Sequence, residues 1–166
     1  MSLRPATAAD LGGIMAIEHS SFPTDAWSEE SMRAELDSPH NVYLVDDDSG
    51  ALRGYGGVRA LRGGADADIQ TIAFDAQHRG RGLGRALLRA LLAAASDRGA
   101  REVFLEVRDD NPSAAGLYLS EGFTEIGRRP RYYQPDDVDA IVMRLDLRAW
   151  HAQPVSAQTN REEPDA

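Results

Sequence analysis

Hydrophobic and polar positions change rhythm several times along the chain, and each change marks an element. Residues 2–4 read as a short strand, after which Pro5 and Thr7 lead into a helix over residues 8–19. Leu11, Ile14, Met15 and Glu18 give that helix a mixed apolar face. A polar break at 22–28 precedes a second short helix, 28–37. Ser28 is placed to cap it, and Glu29 and Glu30 in its first turn suit the helix dipole. Strand-like runs follow at 41–45, 53–61 and 67–74, separated by polar turns at 46–50 and 62–64.

The rhythm then turns helical. Leu83, Leu87, Leu88, Leu91 and Leu92 fall on one face of a helix that ends near Gly99. Glu102–Arg108 alternates again, with Val103, Leu105 and Val107 on one side and Phe104, Glu106 and Arg108 on the other. Asn111 and Pro112 suit the cap and first position of a helix that stops at Gly122. Residues 123–127 and 140–147 read as a last strand pair joined by a loop, 128–139. Residues 1–148 are therefore expected to form one domain, and the polar stretch 149–166 a disordered tail.

Composition narrows the chemistry. No cysteine is present, which excludes disulfides, zinc–thiolate sites and a cysteine nucleophile. The four histidines are scattered without ligand spacing, so no metal is expected. No apolar run approaches the ~20 residues of a membrane span, and no basic-then-apolar leader opens the chain, so a cytoplasmic protein with no membrane partner is expected. The net charge of −9 argues against nucleic-acid binding and suits a basic acceptor. All 18 cationic side chains are arginine, so any phosphate contact must come from arginine or backbone N–H groups.

One segment carries a specific expectation. Between a strand and a helix lies Arg79-Gly80-Arg81-Gly82-Leu83-Gly84. A helix N-terminus offers unpaired N–H groups and a partial positive charge, and glycines let an anion approach them. Arg79, Arg81 and Arg85 can add charge. The Gly-x4-Gly-Lys-Ser/Thr loop of nucleotide hydrolases is missing, and both frames of a dinucleotide fingerprint fail, at Arg85 and at Leu87. By itself the segment also admits a plainer reading, a glycine-rich helix start bearing surface arginines.

Together with the preceding Thr71-Ile72-Ala73-Phe74, this segment resembles the Gln/Arg-x-x-Gly-x-Gly/Ala motif of the GNAT acetyltransferases. Leu105-Glu106-Val107-Arg108, Asn111, Leu117-Tyr118 and Gly122-Phe123 resemble the same family. Trp27-Ser28-Glu29 and Arg128-Arg129-Pro130-Arg131-Tyr132-Tyr133 are similar to segments of its RimI-type members, which acetylate ribosomal-protein N-termini. Ala26 stands where those members usually have proline.

The resemblance implies an α/β GNAT fold, a mixed and largely antiparallel sheet of about seven strands flanked by about four helices. It implies acetyl-CoA as cosubstrate and a protein N-terminal amine as acceptor, in a ribosomal protein. Acetyl-CoA would lie against Ile72, Ala73, Phe74, Arg79, Gly80, Arg81, Gly82, Leu83, Gly84, Arg85, Asn111 and Tyr118. Glu106 would act as base and Tyr118 as proton donor to the leaving thiolate, with Trp27, Tyr132 and Tyr133 near the acceptor. Plainer readings stand beside these. Glu106 could pair with an arginine, Tyr118 could pack in the core, and the aromatics could fasten loops. A small-amine or lysine acetyltransferase and a non-catalytic CoA-binding module remain alternatives.

Overall fold

The computed structural model describes residues 2–79 and 82–151. In chain order the elements are β1 (Leu3–Pro5), a 3-10 turn (Ala8–Asp10), α1 (Leu11–Ser21), α2 (Glu29–Asp37), β2 (Asn41–Asp48), β3 (Ala51–Arg59) and β4 (Asp66–Phe74). A second 3-10 turn (Ala76–His78) precedes α3 (Leu83–Asp97), β5 (Glu102–Arg108), α4 (Pro112–Glu121), β6 (Thr124–Tyr133), β7 (Val138–Asp146) and α5 (Leu147–His151). Seven strands form one sheet in the order β1-β2-β3-β4-β5-β7-β6, antiparallel except where β4 meets β5. The expected mixed sheet flanked by helices is the observed architecture.

Side-chain alternation splits the core into two layers. Tyr43 and Val45 of β2, Tyr55 of β3 and Ala73 of β4 pack with α1 and with Met32 of α2. Val42, Leu44, Ile72 and Phe74 point the other way, toward Leu87, Leu88, Leu91 and Leu92 of α3. The leucine face of α3 is thus buried as its spacing requires, each fully buried leucine contributing about 2 kcal/mol. Val103, Leu105 and Val107 of β5 join this second layer, which turns Phe104, Glu106 and Arg108 toward the opposite face.

Local chemistry sets the helix ends. Ser28 Oγ accepts from Ser31 N at 3.0 Å, and Asn111 Oδ1 accepts from Ala114 N at 3.2 Å. Gly122 closes α4 at φ 110°, a left-handed conformation that favours glycine.

Three elements differ from the sequence expectation. β2 continues through Asp46, Asp47 and Asp48 instead of turning there. Asp46 is fully buried and receives Arg53 Nη2 at 3.0 Å, so an apparent turn residue is a strand residue with a cation. β6 runs to Tyr133, so most of the expected 128–139 loop is strand, paired with β7. Finally, the ordered chain extends past 148. α5 carries Trp150 into the core, where its indole N–H donates to Glu121. The remainder of the expected tail lies outside the described residues. Among the described residues, no helix is long and apolar enough to cross a membrane.

Candidate functional site

The site begins where the sheet stops being continuous. β4 and β5 pair in parallel only at Asp66–Glu102, Ala67–Val103 and Asp68–Phe104. Both strands then continue, β4 to Phe74 and β5 to Arg108, without pairing to each other. Backbone groups along these facing edges have no sheet partner across the gap, and such groups need another donor or acceptor. Ile72, Ala73 and Phe74 occupy the β4 side. Arg79 folds back over the end of that edge, its Nε donating to the Phe74 carbonyl at 3.0 Å.

Three neighbouring cavities that share lining residues follow this split. The first, of about 430 Å³, lies between the β4 edge, the start of α3 and α4. Ile72, Ala73, Phe74, Arg79, Gly82, Gly84, Arg85, Asn111 and Leu117 line it. Gly82 caps α3 at φ 78°, so a residue with a side chain would strain the backbone where the first-turn amides of α3 emerge. At Gly84 a Cβ would meet only Leu117 Cδ2, at 3.6 Å, so glycine there keeps the cavity open instead of preventing a clash. Gly80 and Arg81 of the same motif lie outside the described residues, and Leu83 sits in the first turn of α3. Arg85 is less available than its charge suggests, because Glu121 holds its guanidinium.

Between the first cavity and the third lies a smaller one of about 170 Å³, the neck, which shares Ile72 and Asn111 with the first and Trp27, Glu106 and Tyr133 with the third; both Glu106 and Tyr118 line it. Tyr118 is almost wholly buried on α4, edge-on to Phe123 at 5.8 Å. Burial pushes its phenol up to about 12. The sequence offered core packing or chemistry for Tyr118; its ring packs in the core and still borders the neck. Asn111 also reaches both cavities, although its side-chain oxygen is engaged in capping α4.

The third cavity, of about 850 Å³, lies beyond the neck. Trp27, Tyr132 and Tyr133 line it, and so does Glu106. Trp27 comes from the α1–α2 connection, whereas the two tyrosines end β6 and pack edge-on at 5.2 Å. Burial first, then the Glu106 carboxylate, raises both tyrosines above the ordinary phenol range.

Several lining residues have contacts that no local sequence signal gives. Arg129 Nε lies 2.5 Å from Glu106 Oε2, so the expected alternative of an arginine partner is also realised, though not with Arg108. Asp68 faces the same cavity; burial, then Asp66, holds its carboxyl above the usual range, with Glu106 adding to the effect. Glu18 lines the neck from α1 while accepting from Tyr55 Oη and, at 2.9 Å, from Trp27 N. This anchors the Trp27 backbone to the helix. Among the described residues, no group of three or more histidines and carboxylates is placed to hold a metal ion.

The chain as a whole is similar to known proteins. The sequence pattern of the acetyltransferase (GNAT) family matches residues 13–123. Over 124 residues, 74% of this chain and 77% of the relative, the sequence is 44% identical to N-alpha-acetyltransferase RimI of Mycobacterium tuberculosis. The crystal structure of the ribosomal-protein-S18-alanine N-acetyltransferase from Escherichia coli superposes with a TM-score of 0.80 and 29% identity. That match covers 88% of this chain and 93% of the other. Ard1 from Thermoplasma volcanium gives 0.75 and 25% identity, over 86% and 95%.

Proposed function

This chain belongs to the acetyltransferase (GNAT) family, whose members use acetyl-CoA, and from that premise we propose that it acetylates the N-terminal amine of a protein, with a ribosomal protein as acceptor. The observation that carries the reading is the neck. Glu106 and Tyr118, a base and a proton donor, border one small volume between two larger cavities. The relatives named for N-terminal acetylation support the choice of acceptor.

The 430 Å³ cavity suits acetyl-CoA. Its β4 edge offers backbone groups to an amide-bearing arm, and the start of α3 offers first-turn amides to a pyrophosphate. Arg79 adds positive charge at its wall, and Gly84 leaves the space clear. The thioester end then falls at the neck. The acceptor amine approaches from the 850 Å³ side, along Trp27, Tyr132 and Tyr133, amphipathic surfaces with little rotamer entropy to lose.

Acetyl transfer requires a neutral amine. At pH 7 removing its proton costs about 1.4 kcal/mol for an α-amine of pKa ~8, against about 4.6 for a lysine of pKa ~10.4. Glu106, directly or through one water, takes that proton as the amine attacks the thioester carbonyl. Arg129 holds the carboxylate in place without burying it, since Glu106 keeps 28% of its side-chain surface exposed. Tyr118 stays protonated across the working range and donates to the departing sulfur. Its pKa lies above a free thiol's ~8.5, but the burial that raises the phenol raises a thiolate in the same neck, which narrows the gap.

The test is thiol release from acetyl-CoA with short peptides bearing free or blocked N-termini. Release only with the free N-terminus supports the reading. Equal release with blocked, lysine-containing peptides or with small amines would overturn the acceptor assignment. Binding of acetyl-CoA without release to any amine would favour a CoA-binding module.

A further inference from the structure

Two segments far apart in sequence wall the acceptor-side cavity. One is the α1–α2 connection, whose Asp25 and Trp27 line it beside Thr24; the other is the end of β6 and the β6–β7 turn, whose Tyr133 and Gln134 line it ahead of Asp136. Arg108, the last residue of β5, lies between them. Its Nη1 reaches Asp25 Oδ2 at 3.3 Å and its Nη2 reaches Asp136 Oδ2 at 3.1 Å. Nε and Nη2 also grip Asp110, at 2.9 and 3.0 Å. The guanidinium carbon sits 5.3 Å from the centre of the Tyr133 ring, within cation–π range. Thr24 Oγ1 closes the circle by donating to the same Asp136 oxygen at 2.8 Å.

Three carboxylates therefore converge on one cation whose side chain is 19% exposed. A planar five-donor fork can serve three acceptors at once; an ammonium serves them poorly. Without the guanidinium, like charges from the two segments would repel across the rim. None of these contacts goes to Glu106 or Tyr118.

We propose that Arg108 is a positioning residue that clasps the α1–α2 connection to the β6–β7 turn and so sets the opening through which the acceptor reaches Glu106. The inference rests on the acceptor reading given above. It assigns Arg108, Asp25, Asp136 and Thr24 to acceptor binding; none of them lines the 430 Å³ cavity, although Arg108 and Asp25 also border the neck.

Two variants test it. Asp136→Asn removes one exposed arm and leaves the strand untouched, whereas Arg108→Lys keeps the charge and loses the fork. With a free-N-terminus peptide, KM for the peptide is expected to rise about tenfold in Arg108→Lys, the scale of losing a charge-assisted contact, and less in Asp136→Asn. KM for acetyl-CoA should hold, and kcat should fall less than the peptide KM rises. A second readout needs no turnover: amide hydrogen exchange at residues 22–27 and 133–137 should accelerate in both variants. Unchanged peptide KM together with unchanged exchange overturns the clasp. So does a uniform loss of kcat, both KM values and thermal stability, which marks a purely structural arginine. If the wild-type protein consumes no acetyl-CoA with any peptide, the acceptor reading fails by itself, and exchange still decides whether the two segments are clasped.

Discussion

Asp68 lies opposite Phe104 in the last parallel rung between β4 and β5. Two residues further along β5 stands Glu106, past the point where the strands part. A carboxylate on a fully paired strand would face one layer of the molecule only. At the split, Glu106 borders both the neck and the larger cavity. The termination of that seam after three rungs is what places one side chain at the meeting of two clefts.

Replacing Glu106 by Gln should lower kcat on the order of a hundredfold or more, the usual contribution of a general base. Acetyl-CoA affinity should stay within about twofold, because Glu106 does not line the 430 Å³ cavity. Steady-state thiol release and titration calorimetry separate the two effects. An unchanged rate would remove Glu106 from the chemistry.

Tyr118→Phe should lower kcat on the order of tenfold to a hundredfold while leaving fold and peptide KM intact. The pH dependence is more telling. An ordinary tyrosine is half ionised near pH 10, whereas burial pushes Tyr118 up to about 12. The raised value preserves the protonated donor, so kcat should show no loss attributable to Tyr118 between pH 8 and pH 10. A rate profile in that window, wild type against Tyr118→Phe, tests it. A decline centred near 10 in the wild type alone would contradict it.

Glycines in two places should respond in opposite ways. In Gly84→Ala the new methyl meets only Leu117, so the melting temperature should hold while acetyl-CoA binding weakens about tenfold through lost space. In Gly54→Ala a Cβ would fall 2.5 Å from the Phe74 ring, forcing β3 or β4 to shift, and stability should drop by about 1–3 kcal/mol. Thermal unfolding beside acetyl-CoA titration reads both. Equal destabilisation in both would undo the distinction.

Glu121 is 4% exposed, and Arg85, Arg89 and the Trp150 indole converge on it. Burial alone would raise its carboxyl; the two arginines and the indole outweigh that and hold it below its ordinary range. A depressed value stabilises the folded state above the unfolded pKa, and that contribution fades as pH falls through the folded one. Glu121→Ala should therefore cost about 2–3 kcal/mol near pH 7, toward the low end for a broken buried pair because both arginines are partly exposed. The gap to wild type should shrink in acid. Denaturant unfolding at pH 7 and pH 3 measures it, and a gap that does not change would oppose the assignment.

How much of this was legible beforehand depends on whether the signal was local. β5 and the helical face of α3 carry strong periodicity, and α4 is framed by Asn111, Pro112 and Gly122, so these elements stand where the sequence puts them. β6 hid because it is an edge strand. Its burial is low throughout, so it shows no apolar alternation, and Pro130 reads as a loop residue although an edge tolerates it. Asp46 looked like a turn residue because its partner Arg53 is on the next strand. The same reason hid Asp68 and Glu18 and the pairing of Arg129 with Glu106. Each of these roles depends on a neighbour brought close by folding, whereas Glu106, Tyr118 and Arg129 itself lie in segments that resemble a known family pattern.

The narrowness of the neck bears on inhibitor chemistry. At about 170 Å³ it holds the volume of roughly six waters, at ~30 Å³ each. A compound designed to fill both large cavities at once must carry its tether past Glu106 and Tyr118, through a volume smaller than either end. Potency in such a series should therefore depend on how the midpoint fits beside Glu106 and Tyr118 as much as on the size of either end.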